Sequence, residues 1–164
     1  NTDNPILNCR LKGYENFSPK RIILDKNLKL SINSFVFKSA NKKNTFLFYN
    51  STDNKKIKIF KKKGLTLIKS KLDRNGLLDL KIVFRKLFTL GCRNLLVEGG
   101  DKITKYLIKE RLVDMFYLFQ SRLILPNSEF NKNFTSLKIL NDKYNKRYKV
   151  SSKLTKDIIT IYKR

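Results

Sequence analysis

Apolar residues along this chain fall into short runs and helically spaced sets, broken by polar clusters rich in Lys and Asn. Ile6 to Leu11 and Arg21 to Leu24 are β-compatible runs, separated by Lys12 to Lys20, where Gly13, Ser18 and Pro19 punctuate a loop. Thr45 to Tyr49 predicts a compact aromatic-rich strand, and Asn50 to Asn54 offers Ser, Thr, Asp and Asn side chains for a turn or a helix cap. A helix is then expected over Lys55 to Lys63. Its basic run Lys61 to Lys63 ends at Gly64, as suits a solvated C-terminus where cations meet the negative end of the dipole. Leu65 to Ile68 predicts the next strand. The clearest helix covers Asp79 to Leu90, with Leu80, Val83, Phe84 and Leu87 at helical spacing and Gly91 closing it. Asn94 to Val97 predicts a short buried strand, after which Gly99-Gly100 opens an amphipathic segment carrying Ile103, Leu107 and Leu112. Asp114 to Leu118 and Arg122 to Leu125 read as further strands, and Tyr148 to Ser152 with Ile158 to Tyr162, joined across Leu154 to Asp157, as a terminal hairpin.

Strands and helices alternate in the middle and strands close the chain. That order predicts an α/β sheet layered by helices, with parallel pairing in the middle and antiparallel pairing at the end. No internal repeat is visible, and the polar stretch Asn127 to Asn133 is too short for a linker, so residues 1–164 are expected to form a single domain.

Composition narrows the chemistry. The chain has 164 residues and no His, which removes Ser-His and Cys-His catalytic pairs, imidazole zinc sites and the zinc deaminase signature. Cys9 and Cys92 stand apart in apolar contexts and read as reduced core thiols, and no metal site is expected. The apolar runs are far shorter than the roughly 20 residues that span a bilayer, so the expectation is a cytoplasmic chain. It begins at Asn1 with no charged n-region and apolar h-region, which reads as a piece cut from a longer polypeptide. The net charge of +24 fits a polyanion partner. However, 28 Lys against 9 Arg, with 17 Asn, 15 Ile and one Ala, is the pattern of an A- and T-rich coding sequence, and the Lys are spread along the chain instead of forming Arg-based forks. A dedicated nucleic-acid face is the weaker reading.

Two segments carry candidate chemistry. In Leu95-Leu96-Val97-Glu98-Gly99-Gly100-Asp101 a strand ends in a carboxylate and two glycines where a helix begins. The crevice beyond the carboxyl ends of strands is the usual ligand site of open α/β sheets, and a helix start offers unpaired N–H groups to an anion. Glu98 there is an acceptor for ring N–H groups, and Asp101 is expected to cap the helix. By spacing alone, ligand binding and a plain tight turn are equally good readings of the glycine pair. In Asp3-Asn4-Pro5-Ile6-Leu7-Asn8-Cys9-Arg10 a stiffened polar turn precedes an Arg able to grip a phosphate bidentately, or simply to sit at a surface strand end.

Taken together, D-N-P-I-L-N-C-R, R-I-I-L-D, L-L-V-E-G-G-D-K-I and L-V-D-M-F-Y-L occur in an order and spacing that resembles the reductase domain of the bacterial riboflavin-biosynthesis deaminase-reductase, of the dihydrofolate-reductase-like superfamily. The similarity runs from Asp3 to about Leu125. It implies a dihydrofolate-reductase-like mixed sheet with helices on both faces and a C-terminal antiparallel hairpin. The implied activity is NADPH-dependent reduction of the ribosyl group of 5-amino-6-(5-phosphoribosylamino)uracil to its ribityl form, a phosphorylated pyrimidine substrate, and the implied assembly is a homodimer. By the same resemblance Leu7, Arg10 and Glu98 contact substrate, with Arg10 on its phosphate. Asp3 and Lys26 match cofactor contacts, and Gly99, Gly100, Asp101, Lys102, Ile103 and Thr104 match the loop and helix start that hold the diphosphate. No catalytic proton donor is assigned by sequence.

Departures from the family pattern also carry expectations. The family domain has a strand and helix ahead of the D-x-P turn, and this chain starts after them, which leaves an inactive remnant of the fold as an alternative. Pro126-Asn127 stands where the family has a glycine turn. From another functional class, a basic nucleic-acid-binding module would draw on the charge and on aromatics among Lys, as at Phe46 to Tyr49.

Overall fold

The computed structural model of the chain describes residues 4–121, 134–150 and 157–164. They fall into two compact units, Asn1–Leu95 and Leu96–Arg164.

The first unit is built on three parallel strands, β1 (Arg21–Leu24), β2 (Thr45–Tyr49) and β3 (Thr66–Lys69), in the order β1-β2-β3. The register pairs Arg21 with Thr45 and Phe46 with Thr66. All five residues of β2 are buried, so successive side chains supply both faces of the sheet. On one face Leu47 and Tyr49 pack with Phe37 of α1 (Phe35–Lys38), Phe60 of α2 (Asn54–Lys63), Leu28 and Leu65. On the other, Phe48 packs with Leu78 and with Val83 and Leu87 of α3 (Leu80–Thr89). Helices therefore cover both faces of the parallel sheet, as expected.

Helix ends follow the predicted chemistry. The Asp53 and Asp79 carboxylates accept from the first-turn N–H groups of α2 and α3. Gly64 and Gly91 have φ of 102° and 83°, and Leu65 N and Cys92 N return to Phe60 O and Leu87 O. This six-to-one bond is the Schellman closure, and it moves the start of β3 from the expected Leu65 to Thr66.

Arg21, the first residue of β1, is 6% exposed. Its guanidinium donates from Nε to Thr45 Oγ1, from Nη1 to Ser39 Oγ, and from Nη2 to Ser39 O, Asn44 Oδ1 and Thr45 Oγ1, at 2.7–3.2 Å. Every one of these acceptors is neutral, and burial pulls the guanidinium's pKa down.

The second unit has α4 (Asp101–Lys109), β4 (Met115–Gln120), α5 (Leu137–Lys143), β5 (Lys146–Val150) and β6 (Ile158–Lys163). The strands form an antiparallel sheet in the order β4-β6-β5. Ile108 of α4, Leu140 of α5, Tyr144 and Tyr162 of β6 make its core. The Tyr144 hydroxyl donates to Val113 O and the Tyr162 hydroxyl to Asn141 Oδ1, both at 2.9 Å.

Several expectations are corrected. Ile6 to Leu11 is not a strand, because Leu7 has a φ of 52°, which no β ladder accommodates. Asn94 to Val97 is irregular and exposed, with Leu96 at 81%, since no neighbouring strand among the described residues pairs its backbone. The β4 strand starts one residue late and extends to Gln120, and β5 starts at Lys146. The helices α1 and α5 were not expected. Arg122 to Leu125, Pro126-Asn127 and residues 151–156 of the expected hairpin and its connection lie outside the described residues. Among the described residues no helix is long and apolar enough to cross a membrane.

The buried guanidinium generates a stability prediction. Arg21→Lys keeps the charge but loses the fork, and one ammonium cannot replace the donors to Ser39 Oγ and Thr45 Oγ1 together, so urea unfolding is expected to show a loss of about 1–3 kcal/mol. An unchanged midpoint would mean that the network adds nothing to stability.

Candidate functional site

Glu98, Gly99 and Gly100 form an exposed lead-in to α4. Gly100 is the N-cap residue, with extended backbone (φ −71°, ψ 172°) and no side chain capping the helix. The first bond of the helical ladder, Thr104 N to Gly100 O, is 3.2 Å. The N–H groups of the residues between have no partner within the helix, which is the arrangement that receives anions. The two glycines do different work. A Cβ on Gly99 would lie 2.2 Å from Ile103 Cγ2, so its absence lets the first turn close against the lead-in. A Cβ on Gly100 would meet nothing within 4 Å, so the space in front of the helix is open to a ligand. Lys102 is exposed beside it, while Ile103 and Thr104 are half-buried.

Asp101 does not cap the helix as expected. Its carboxylate accepts from Thr135 Oγ1 at 2.5 Å and Ser136 Oγ at 2.8 Å, tying α4 to the start of α5. These two hydroxyls, more than any other influence, hold its pKa below the ordinary carboxylate value. The physical reason is proximity. Two hydroxyl donors already stand against the carboxylate, and a residue in the first turn cannot fold back on its own N–H groups as the residue before the helix can.

The other predicted site residues belong to the first unit. Asn4 Oδ1 accepts from Phe35 N at 2.8 Å, which docks the Asn4-Pro5 turn on the start of α1. Asn4, Pro5, Ile23 and Leu30 line a cavity of about 90 Å³. Leu7 is half-buried in the left-handed region, a strained state for a leucine and of the kind that clusters at ligand-contacting loops. Arg10 is exposed and carries no side-chain bond to another described residue. Asp3 lies outside the described residues.

Lys26 follows β1 at the carboxyl edge of the parallel sheet. Its Nζ donates to Gly76 O at 2.8 Å, and two further N–H donors of the ammonium remain. Asn50 N bonds Lys26 O at 2.9 Å, Ser70 N bonds Tyr49 O at 2.8 Å, and Asn50 Nδ2 bonds Ser70 O at 2.6 Å. Lys26, Asn50 and Ser70 thus stand side by side past the ends of three strands, the usual ligand edge of such a sheet. Ser70 Oγ is buried with no hydrogen-bond partner among the described residues. Asn50 and Ser70 were missed by sequence reasoning. Each is the first uncharged polar residue after its strand, and that position was the available signal.

The aromatics Phe46, Phe48 and Tyr49 are buried in the sheet and so are withheld from stacking on bases.

A family profile described as the RibD C-terminal domain matches residues 1–159. The chain is 27% identical over 117 residues to the riboflavin biosynthesis protein RibD of Actinobacillus pleuropneumoniae, covering 71% of this chain and 30% of that protein. The solved structure of Acinetobacter baumannii RibD in its form 2 is similar with a TM-score of 0.69 and 17% identity, over 99% of this chain and 43% of that one. A pyrimidine reductase-like protein from Corynebacterium diphtheriae is similar with a TM-score of 0.64 and 20% identity, over 89% of this chain and 61% of that one. The α/β fold expected from sequence is the one these structures share. This chain spans less than half the length of the RibD proteins it matches.

The Asp101 clasp has a defined pH signature. Its carboxyl is held below the ordinary aspartate value by the Thr135 and Ser136 hydroxyls, so its stabilisation is fully present above about pH 4 and is lost as pH falls through the lowered value. In urea titrations, wild type is expected to exceed Asp101→Asn by a constant margin from about pH 7 to about pH 5, and the margin is expected to shrink in stronger acid. A margin that grows on acidification would mean the carboxylate is not the stabilising form.

Proposed function

The chain belongs to the RibD C-terminal domain family, and from that premise we propose that it serves as an NADPH-dependent reductase in riboflavin biosynthesis. Its substrate is 5-amino-6-(5-phosphoribosylamino)uracil, whose ribosyl group is reduced to ribityl. The observation that carries the reading is the uncapped start of α4, directly after the exposed Glu98, with open space at Gly100.

The residues present fit a dinucleotide phosphate. When bound, NADPH supplies the hydride, which is the hard chemical step. The chain's residues bind and orient. The first-turn N–H groups of Asp101, Lys102 and Ile103, at the positive end of α4, hold a diphosphate, and the glycine lead-in allows its approach to the backbone. Lys102 adds a cation, and Thr104 completes the first turn. The Asp101 carboxylate is held by two hydroxyls of the α5 start, and its contribution to an anion site comes from its backbone N–H. Lys26 contacts a cofactor phosphate with the donors left over from its bond to Gly76, and Asp3 is a further cofactor contact. Glu98, exposed and with no hydrogen-bond partner among the described residues, accepts from N–H groups of the pyrimidine ring. Arg10 presents its planar fork to the substrate phosphate, and Leu7 fixes the loop beside it. The reading extends to a single reductase domain over residues 1–164 that acts as a homodimer in the cytoplasm.

Calorimetric titration of the chain with NADPH near physiological salt tests this, with NADH and a short oligonucleotide as competitors. Saturable binding is expected that persists in salt. Gly100→Val, which fills the open space with a branched side chain, is expected to weaken it by about tenfold or more, and Glu98→Gln to leave it within about twofold. Binding abolished by salt and displaced by any polyanion, alike in wild type and both variants, would overturn the reading.

A further inference from the structure

We propose that the amino-end side of the parallel sheet in the first unit carries a separate binding site for a small polyphosphate, seated on the turn between α1 and β2. A cleft of about 560 Å³ opens there, lined by Ser18, Lys20, Asn41, Lys42, Lys43 and Asn44. Three of the six lining residues are cationic and none is acidic, so the cleft favours anions whatever the charge elsewhere on the chain. Its volume suits a ligand with more than one phosphate group.

What distinguishes it from a scatter of surface lysines is the buried cation bonded to its lining residue Asn44. Asn44 Oδ1 accepts from Arg21 Nη2, and the Arg21 guanidinium is bonded only to neutral acceptors. Its positive charge is therefore not cancelled by any described carboxylate, and a weakly screened charge one bond from a lining residue attracts an anion over a longer reach than an exposed one.

The turn is also fixed before any ligand arrives. Asn41 Oδ1 accepts from Lys43 N and Asn44 N at 3.0 Å each, and Asn44 Oδ1 accepts from Asn41 N at 2.9 Å. Lys42 O is held by Thr66 Oγ1 at 3.0 Å. The backbone that bears Lys42 and Lys43 is thus pinned from both sides, which lowers the entropy lost on binding. With its oxygen occupied by the turn, the Asn41 side chain has its NH₂ left to donate. Ser18 contributes shape only, because its hydroxyl already donates to Glu15 O and accepts from Cys9 N. Lys20 Nζ sits 5.8 Å from the centre of the Phe46 ring, which holds it at the rim. This site does not depend on the reductase reading, whose diphosphate contacts lie at α4.

The test is a pyrophosphate titration of the ¹⁵N-labelled chain in about 150 mM salt, read by amide shifts. Saturable shifts are expected at residues 41–44. Lys42→Gln with Lys43→Gln is expected to weaken that binding about tenfold, while Lys55→Gln with Lys56→Gln, the same loss of charge at the start of α2 beyond the opposite edge of the sheet, changes it less than about twofold. Three results would overturn the proposal. These are equal weakening in both double variants, shifts confined to the α4 start, and an oligonucleotide that shifts residues 41–44 at lower concentration than pyrophosphate.

Discussion

Burial of β2 on both faces is the constraint from which the first unit follows. A strand with Leu47 and Phe48 fully inaccessible on opposite faces needs a layer on each side and a partner along each edge. The partners are β1 and β3, the layers are α1 with α2 and α3, and parallel pairing puts all three carboxyl ends at one edge. Lys26, Asn50 and Ser70 share that edge for this reason. The opposite edge gathers the amino ends, where Arg21 and Thr45 meet the basic turn. One buried strand thereby gives the unit two chemically different rims.

In the second unit the decisive interaction is the removal of a charge from a helix start. A free aspartate in the first turn of α4 would leave an uncommitted negative charge beside the unpaired N–H groups of the helix start. Thr135 and Ser136 draw the carboxylate toward α5 instead, and glycine supplies no side chain to replace it. The helix start stays uncapped because its nearest anion is engaged elsewhere. With no side chain in front of it, the backbone at Gly100 stays open to close approach.

The sequence made legible the parts in which local chemistry and tertiary position agree. Thr45 to Tyr49 has the residue types of a central strand. The helix expected over Asp79 to Leu90, closed by Gly91, matches α3 to within a residue at each end. The Glu98-Gly99-Gly100 lead-in to a helix was visible from composition and spacing. What stayed hidden depends on distant residues or on backbone angles. The apolar character of Ile6 to Leu11 says strand, but Leu7 adopts a left-handed backbone that no side-chain pattern announces. Asn94 to Val97 has strand residues without a strand beside it among the described residues, and pairing, not propensity, makes a strand. The partners of Asp101 sit 34 and 35 positions away. The neutral surroundings of Arg21 are likewise set by residues 18 to 24 positions on.

The order β4-β6-β5 has a kinetic consequence. The strand that lies between the other two is the last of the three along the chain, so β4 and β5 share no ladder of their own, and among the described residues each pairs only with Ile158–Lys163. Until that segment has been synthesised, both earlier strands present unpaired edges with Met115, Tyr117, Phe119 and Tyr148 outward. A nascent chain paused before Ile158 is therefore a sticky species, and closure of the β4–β6 ladder across more than 35 residues is a slow, non-local event. The first unit, with β2, α2 and β3 contiguous, has no such wait. Vectorial synthesis would meet its main hazard in the final few residues of this topology.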